Sequence, residues 1–316
     1  MPADPPSPRG IGYRLRGSRR GPMTRLTSKN IWEQLCAYTT LGLILLGSAQ
    51  SFCRAAQPVV DAAIKRGALY IQRLQNRDGS WQARGHQLGE TSLAGLALLA
   101  AGYPADSPVI ASAARAVRQI ARKNWNTYDV SLAVMFLDQV GARRDEQIIR
   151  LLGDRLAQGQ AADGCWTYSL KGPAMKGDNS NAQFAVLASW ICRRHGAAMN
   201  DTVRRADQYF RSTVNQAGGW GYHPGNSSTA SMTCAGLVAL AAERGRSIQQ
   251  SKAPSGNRRK SRQPDGPERD LAPDKNDPVA HAAFKYLALQ LRRDRIEVEG
   301  KRLTGLYFYW SLDVSE

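Results

Sequence analysis

Hydrophobic and polar positions along the chain define two kinds of helical segment. Segments of the first kind are apolar nearly all round, which is typical of helices buried on most faces; they are residues 91–102, 127–137, 179–190, 231–240 and 305–312. Segments of the second kind lie between them and are amphipathic and charged; they cover about 58–75, 107–122, 145–159, 200–214 and 277–292. The alternation predicts an all-α protein of about five pairs of inner and outer helices.

A seven-residue motif, Gln-x-x-Asp-Gly-x-Trp, precedes two of the apolar segments, and a shortened copy precedes a third. Its residues are Gln75, Asp78, Gly79 and Trp81, then Gln160, Asp163, Gly164 and Trp166, then Gly219 and Trp220 within Gly218-Gly219-Trp220. Two copies that match at four of seven positions indicate an internal repeat. Because repeats of this kind bury one helix layer and leave the other half exposed, the pattern favours an α/α toroid over a linear solenoid.

The motif and the apolar helix that follows it resemble the repeat of the prenyltransferase and squalene-cyclase superfamily. The resemblance covers about residues 58–314. It implies a ring of six inner and six outer helices around a central cavity, in which the Gln and Trp of the motif tie helix ends together. Because the sequence supplies only about five pairs, we expect an incomplete toroid that a further C-terminal part or a partner chain would close.

The matching positions lack the residues that carry the chemistry of this superfamily. The resemblance implies an Asp-x-Asp-Asp cluster for cyclization, or an Asp-x-Cys pair with a distant His for zinc, at the start of an inner helix. The most similar stretch is Asp178-Asn179-Ser180-Asn181, which keeps only the first acid. We therefore expect no metal, no cofactor and no cyclase or transferase activity. The first hypothesis is a non-catalytic binding or assembly module.

Acidic and aromatic residues at the predicted starts of inner helices form the candidate site. Glu90, Asp129 and Asp178 lie there, where a carboxylate caps a helix and interacts with its positive end. In the alternative hypothesis, an enzyme acts on an isoprenoid or polysaccharide substrate through Asp178 with Glu90 or Asp129, since glycosidic chemistry requires two carboxylates. The candidate cavity residues, for a hydrophobic or glycan ligand, are Asn179, Asn181, Tyr128, Tyr168, Tyr222, Tyr307 and Trp310.

The N-terminal region has the order of a secretory signal. An apolar run at 35–49 is shorter than the roughly 20 residues that a membrane-spanning helix needs. Basic residues precede the run and small residues follow it. We expect a leader over residues 1–56, cleaved near Ala55 or Ala56, and export to the periplasm or the extracellular space.

Two alternatives concern this leader. An uncleaved leader would anchor the chain and would be its only membrane contact. Met23 is an alternative start that leaves a compact basic segment before the apolar run, in which case residues 1–22 are not translated. In every case the repeat domain is expected to cover 57–316.

Composition changes this picture mainly through charge. The chain has 43 Lys and Arg against 26 Asp and Glu, a net charge of +17 that ordinarily suggests a nucleic-acid partner. However, residues 1–56 carry +6 and residues 244–277 carry +4 of this charge. We expect no nucleic-acid partner, because no aromatic and basic strip accompanies the remainder. The stretch 244–277, rich in Pro, Ser, Arg and Asp, is predicted to be a disordered insertion, and a third hypothesis has it bind an anionic polymer.

Overall fold

The structure is a computed structural model that describes residues 58–82, 85–171, 176–252 and 276–294, with the side chains of 248–252 and 291–294 left out. The chain divides into two compact units, Met1–Ala63 and Ile64–Glu316. In the first unit the description covers only the first residues of a helix. Apart from these residues, the fold and the site described below lie in the second unit.

The regular secondary structure of the described residues is helical, and they contain no β-strand beyond one isolated bridge. The predicted all-α class is therefore confirmed for them. Helix α1 covers 58–73. The others are α2 (Gln87–Ala100), α3 (Pro108–Ala121), α4 (Thr127–Val140), α5 (Glu146–Gln158), α6 (Asn179–Arg194), α7 (Asn200–Thr213), α8 (Ala230–Lys252) and α9 (Pro278–Asp294). A short 3-10 turn, Arg143–Asp145, precedes α5.

Helices α2 to α9 of the second unit form two layers. The even-numbered helices α2, α4, α6 and α8 each contact the next one in the row. Each odd-numbered helix from α3 to α7 contacts the two even-numbered helices beside it, and α9 contacts α8. The even-numbered helices are therefore the predicted inner layer, and α3, α5, α7 and α9 are the outer layer. The closed ring stays a prediction.

Local sequence signals set where these helices begin and end. The side chain of Asn126 accepts a hydrogen bond from the backbone N–H of Asp129 and caps α4. Asp178 caps α6 in the same way, by accepting from the N–H of Asn181. Helix α4 ends at Gly141, whose φ of 70° is the left-handed conformation that glycine adopts at low cost.

The start of α2 and the end of α8 differ from the predicted boundaries. Helix α2 begins at Gln87, four residues before the predicted start at residue 91. Helix α8 continues to Lys252, so the first nine residues of the predicted insertion at 244–277 are helical and that part of the prediction is wrong. No proline occurs in this part until residue 254, and Arg246 pairs with Glu243 one turn earlier, which supports the continued helix.

Several predicted features lie outside the described residues. They are the leader at 1–56, the helix at 305–312 with Tyr307 and Trp310, and residues 253–275 of the insertion. In the portion of the chain that is described, no helix combines the length and the apolar character needed to cross a membrane.

Candidate functional site

Three turns with the same hydrogen bonds connect outer helices to inner helices. In each turn the indole N–H of the tryptophan donates to a backbone carbonyl ten residues earlier, near the end of the preceding outer helix. The pairs are Trp81 with Ile71, Trp166 with Leu156, and Trp220 with Phe210, each at 2.8 Å. Because all three indoles are buried, these bonds fix the position of each turn against its outer helix.

The glutamine of the motif links its turn to the next outer helix. The side-chain amide of Gln75 donates to the carbonyl of Gly79 at 3.0 Å and to that of Val109, in the first turn of α3, at 2.9 Å. Gln160 makes the equivalent bonds to Gly164 at 2.9 Å and to Thr202, in the first turn of α7, at 3.0 Å. These glutamines therefore bind their own chain through both amide hydrogens.

The aspartates and glycines of the motif shape the turns. Asp78 accepts from the backbone N–H of Ser80, and Asp163 accepts from that of Cys165, each at 2.9 Å. In each turn one glycine adopts a positive φ, between 88° and 97°. These glycines are Gly79, Gly164 and, in the third turn, Gly218. The third turn thus uses Gly218 and not the predicted Gly219, because Gly218 is the residue that lies two positions before the tryptophan.

The best-placed predicted acid, Asp178, is occupied by its own helix. It is 3% exposed, and its two carboxylate oxygens accept from the backbone N–H and the side-chain amide of Asn181, at 2.8 and 2.7 Å. The predicted partner Asn179 is fully buried and donates its side-chain amide to the carbonyl of Gly221 at 2.8 Å. Asp178 is therefore an N-cap, and Asn179 attaches the start of α6 to the following turn.

The other two predicted acids lie at the starts of α4 and α2. Asp129 is 4% exposed, and one carboxylate oxygen accepts from the side-chain amide of Asn124 at 2.9 Å. Its other oxygen lies 3.3 Å from Nδ1 of His86, the residue that precedes α2. Glu90 lies in the first turn of α2 and is not the residue that caps it. Asp129 thus connects the starts of two inner helices.

Three predicted tyrosines lie together at the starts of α4 and α6. The hydroxyls of Tyr168 and Tyr222 are 2.8 Å apart, although the residues belong to consecutive tryptophan turns. The rings of Tyr128 and Tyr168 have centroids 5.8 Å apart. We call Tyr128, Tyr168 and Tyr222 the tyrosine cluster.

Backbone contacts hold the tyrosine cluster in place. The carbonyl of Tyr168 accepts from the N–H of Thr127 at 3.0 Å, which attaches one turn to the start of α4. The carbonyl of Tyr222 accepts from the N–H of Asn179 at 3.0 Å, which attaches the next turn to the start of α6. The turns after Trp166 and Trp220 therefore each lie against the start of an inner helix, and this arrangement brings the tyrosines together.

Two further residues belong to this surface and were missed by the sequence analysis. Phe184 contacts Tyr128 edge-on, with ring centroids 5.1 Å apart. His223 packs edge-on against Tyr222 at 4.8 Å, and its Nδ1 lies 3.0 Å from the carbonyl of Gly177. Phe184 could have been predicted from the sequence, because it lies one turn beyond Ser180 and therefore on the same face of the predicted helix. Nothing in the sequence relates His223 to Gly177.

An apolar strip continues from the tyrosine cluster along the inner layer. Leu132 and Met135 follow Tyr128 on α4, and Leu187 follows Phe184 on α6, at spacings of three or four residues that keep them on one helix face. All are half-buried, whereas the residues between them on these two helices are buried. The inner layer therefore presents part of its apolar surface next to the cluster.

The burial of the cysteines disfavours thiolate chemistry. Cys165, Cys192 and Cys234 are buried, and neither Cys165 nor Cys192 forms a disulfide. Burial raises the pKa of the Cys165 thiol to about 12, so this group stays protonated at neutral pH. Over the described ranges, no group of three or more His, Cys, Asp or Glu side chains is arranged so that it could hold a metal ion.

Comparison with known proteins adds no further constraint. No protein-family model matches the sequence, and a search of curated proteins gives no significant match.

Proposed function

We propose that this chain is an exported binding module of the prenyltransferase and squalene-cyclase repeat type, with no catalytic activity of its own. Its ligand contacts the tyrosine cluster at the starts of the inner helices. The observation that carries the proposal is the pairing of Tyr168 with Tyr222, which joins the hydroxyls of two partly exposed tyrosines from consecutive turns. A toroid completed by a partner chain or by a further C-terminal part belongs to the same proposal.

The alternative enzyme is less well supported because its acids are committed elsewhere. Asp178 and Asp129 are buried, and both oxygens of each carboxylate have partners within the chain. A general acid or nucleophile must reach the reacting atoms of a substrate. The bonds of these two residues instead explain how α6 begins and how the start of α4 is attached.

Ligand binding can be tested by recovering bound compounds from the purified full chain. Mass spectrometry of lipid and glycan extracts is compared between the wild type and a Tyr168→Ala/Tyr222→Ala double variant. Tyr70→Ala is the matched control, because Tyr70 is 64% exposed on α1 and lies outside the cluster. We expect a compound that the wild type and the control retain and the double variant loses. Equal recovery from all three proteins would contradict the proposal.

The absence of catalysis can be tested with Asp178→Asn. Asparagine caps helices about as well as aspartate, so the variant removes the charge and the bond to the side-chain amide of Asn181 but keeps the cap. We expect a loss of stability of about 1 kcal/mol and no change in the mass of the recovered compound. A compound that the wild type alters chemically and Asp178→Asn leaves intact would restore the enzyme hypothesis.

A further inference from the structure

We infer that the ligand of the tyrosine cluster is a neutral polysaccharide, whose sugar rings stack on Tyr168 and Tyr222. This inference rests on the proposed binding function and specifies its ligand class. It depends on the exposure, rigidity and polarity of the cluster, which are argued in turn.

Exposure separates a sugar chain from an enclosed lipid. Tyr168 is 54% exposed and Tyr222 is 37% exposed. Apolar ligands are normally bound in sites that cover most of their surface, because removal of apolar area from water drives the binding. A sugar ring has one apolar face and a rim of hydroxyls that stay hydrated, so it needs only one aromatic surface.

The two rings are held rigidly before any ligand arrives. Tyr222 is supported by its hydroxyl bond to Tyr168 and by edge-on contact with His223. Tyr168 is supported by Tyr128, whose ring packs in turn on Phe184. Tyrosine also has few rotatable bonds, so little conformational entropy is lost when a ligand orders such a surface.

The surroundings of the rings are polar and offer hydrogen bonds to hydroxyls. The segment 223–227, which follows Tyr222, is exposed and consists of His, Pro, Gly, Asn and Ser. Of the paired tyrosine hydroxyls, one donates to the other and the acceptor keeps its own hydrogen for a ligand. Partial burial raises the pKa of the Tyr222 hydroxyl, with the hydrogen bond to Tyr168 acting in the same direction, so this hydroxyl stays neutral.

Two charged groups near the cluster have partners within the chain. The carboxylate of Asp178 is bound by Asn181. The ammonium of Lys171 lies 5.6 Å from the centre of the Trp125 ring, in a cation–π contact. A ligand on Tyr168 and Tyr222 therefore meets uncharged rings and hydroxyls first, which favours a neutral sugar chain over an anionic one.

Native affinity electrophoresis of the full chain tests this inference with defined probes. Gels contain soluble β-glucan, xylan or glucomannan. The salt concentration is chosen to screen long-range electrostatic attraction between the positively charged protein and the gel. A parallel arm measures co-sedimentation with vesicles of phosphatidylcholine and squalene. The proteins are the wild type, Tyr168→Ala, Tyr222→Ala and the control Tyr70→Ala, each checked for helicity by circular dichroism.

We expect at least one neutral polysaccharide to retard the wild type and Tyr70→Ala, with affinity about tenfold lower for each cluster variant. Absence of retardation by all three polysaccharides, or retardation that the cluster variants keep, would overturn the inference. Vesicle binding that depends on Tyr168 and Tyr222 would reject the polysaccharide while leaving the binding function standing. If neither the polysaccharides nor the vesicles bind, both the inference and the proposed binding function are contradicted.

Discussion

At the scale of single residues, each tryptophan turn includes a glycine that no other residue could replace without strain. A Cβ atom on Gly164 would lie 2.3 Å from the carbonyl oxygen of Arg205, on the next outer helix, and one on Gly79 would lie 2.4 Å from that of Ser112. These approaches are closer than any non-bonded contact allows, and the positive φ adds a separate cost. The motif requires glycine because the turn backbone lies directly against the outer helix.

Gly164→Ala tests this close approach against Gly196→Ala. Both residues have a positive φ, of 97° and 85°, but a Cβ on Gly196 would have no atom within 4 Å. We expect Gly196→Ala to lower the free energy of unfolding by about 1 kcal/mol, from the φ strain alone. Gly164→Ala should cost about 3 kcal/mol or more, because α7 or the turn must also move. Urea unfolding followed by circular dichroism measures both, and equal losses would show that the contact with Arg205 is unimportant.

The sequence was a better guide to which residues shape the site than to the contacts that these residues make. Identical offsets identified the motif residues, and the position of Asp178 before an apolar helix indicated a cap. The glycine of the third turn is Gly218 and not Gly219, which the offset of two positions before the tryptophan in the other copies already indicated. The pairing of Tyr168 with Tyr222 joins residues 54 positions apart. It depends on how consecutive turns stack, which local periodicity does not contain.

At the scale of helices, an acid at the start of the last described helix connects it to an outer helix as well. Asp277 accepts from the backbone N–H of Val279 at 2.9 Å at the start of α9, and its other oxygen lies 2.6 Å from the guanidinium of Arg211 on α7. The hydrogen bond from Arg211 lowers the pKa of Asp277 below its ordinary value of 3.8, and the backbone bonds act in the same direction. A boundary prediction near residue 277 could locate α9, but it could not show this attachment to α7.

The attachment of α9 should therefore weaken in acid. A carboxylate with a lowered pKa in the folded chain contributes stability that is fully present above its ordinary pKa and is lost as the pH falls through the lowered value. We expect hydrogen-exchange protection of the first turns of α9 to fall below about pH 4. In Asp277→Asn, which keeps a capping side chain, protection should be lower above pH 4 and should lose this pH dependence.

Asp201→Asn is the matched control for this experiment. Asp201 pairs with Arg204 within α7 at 3.2 Å, but its side chain is 86% exposed, and such pairs contribute little to stability. The control should follow the wild-type pH profile. An unchanged pH profile in Asp277→Asn would mean that the bond to Arg211 does not stabilise α9.

At the scale of the whole chain, the alternation of apolar and amphipathic segments was sufficient to predict two layers of helices. The apolar segments that the structure describes became the inner row, because a helix flanked by two inner neighbours and two outer helices has few solvent-facing positions. The strip from Tyr128 to Met135 was not foreseen, since an apolar side chain on a free face and one in the core look alike in a sequence. Closure of a ring is equally outside what local patterns determine.

Export is the remaining proposal about the chain as a whole, and it makes a prediction that does not depend on the ligand. The apolar run at 35–49 should direct secretion and be removed near Ala55 or Ala56. When the chain is expressed in a bacterium with its leader, it should be recovered outside the cytoplasm with the mass of a chain that begins at residue 56 or 57.

Two variants test whether the apolar run is the secretion signal. Leu45→Arg, which places a charge in the middle of the run, should keep the protein inside the cell at full length, because a charged residue is costly within an apolar segment that enters the membrane. Thr27→Arg adds the same charge before the run and should leave secretion intact. Full-length wild type in the membrane fraction would contradict cleavage and favour the anchored alternative, whereas export of Leu45→Arg at the wild-type level would show that the run is no secretion signal.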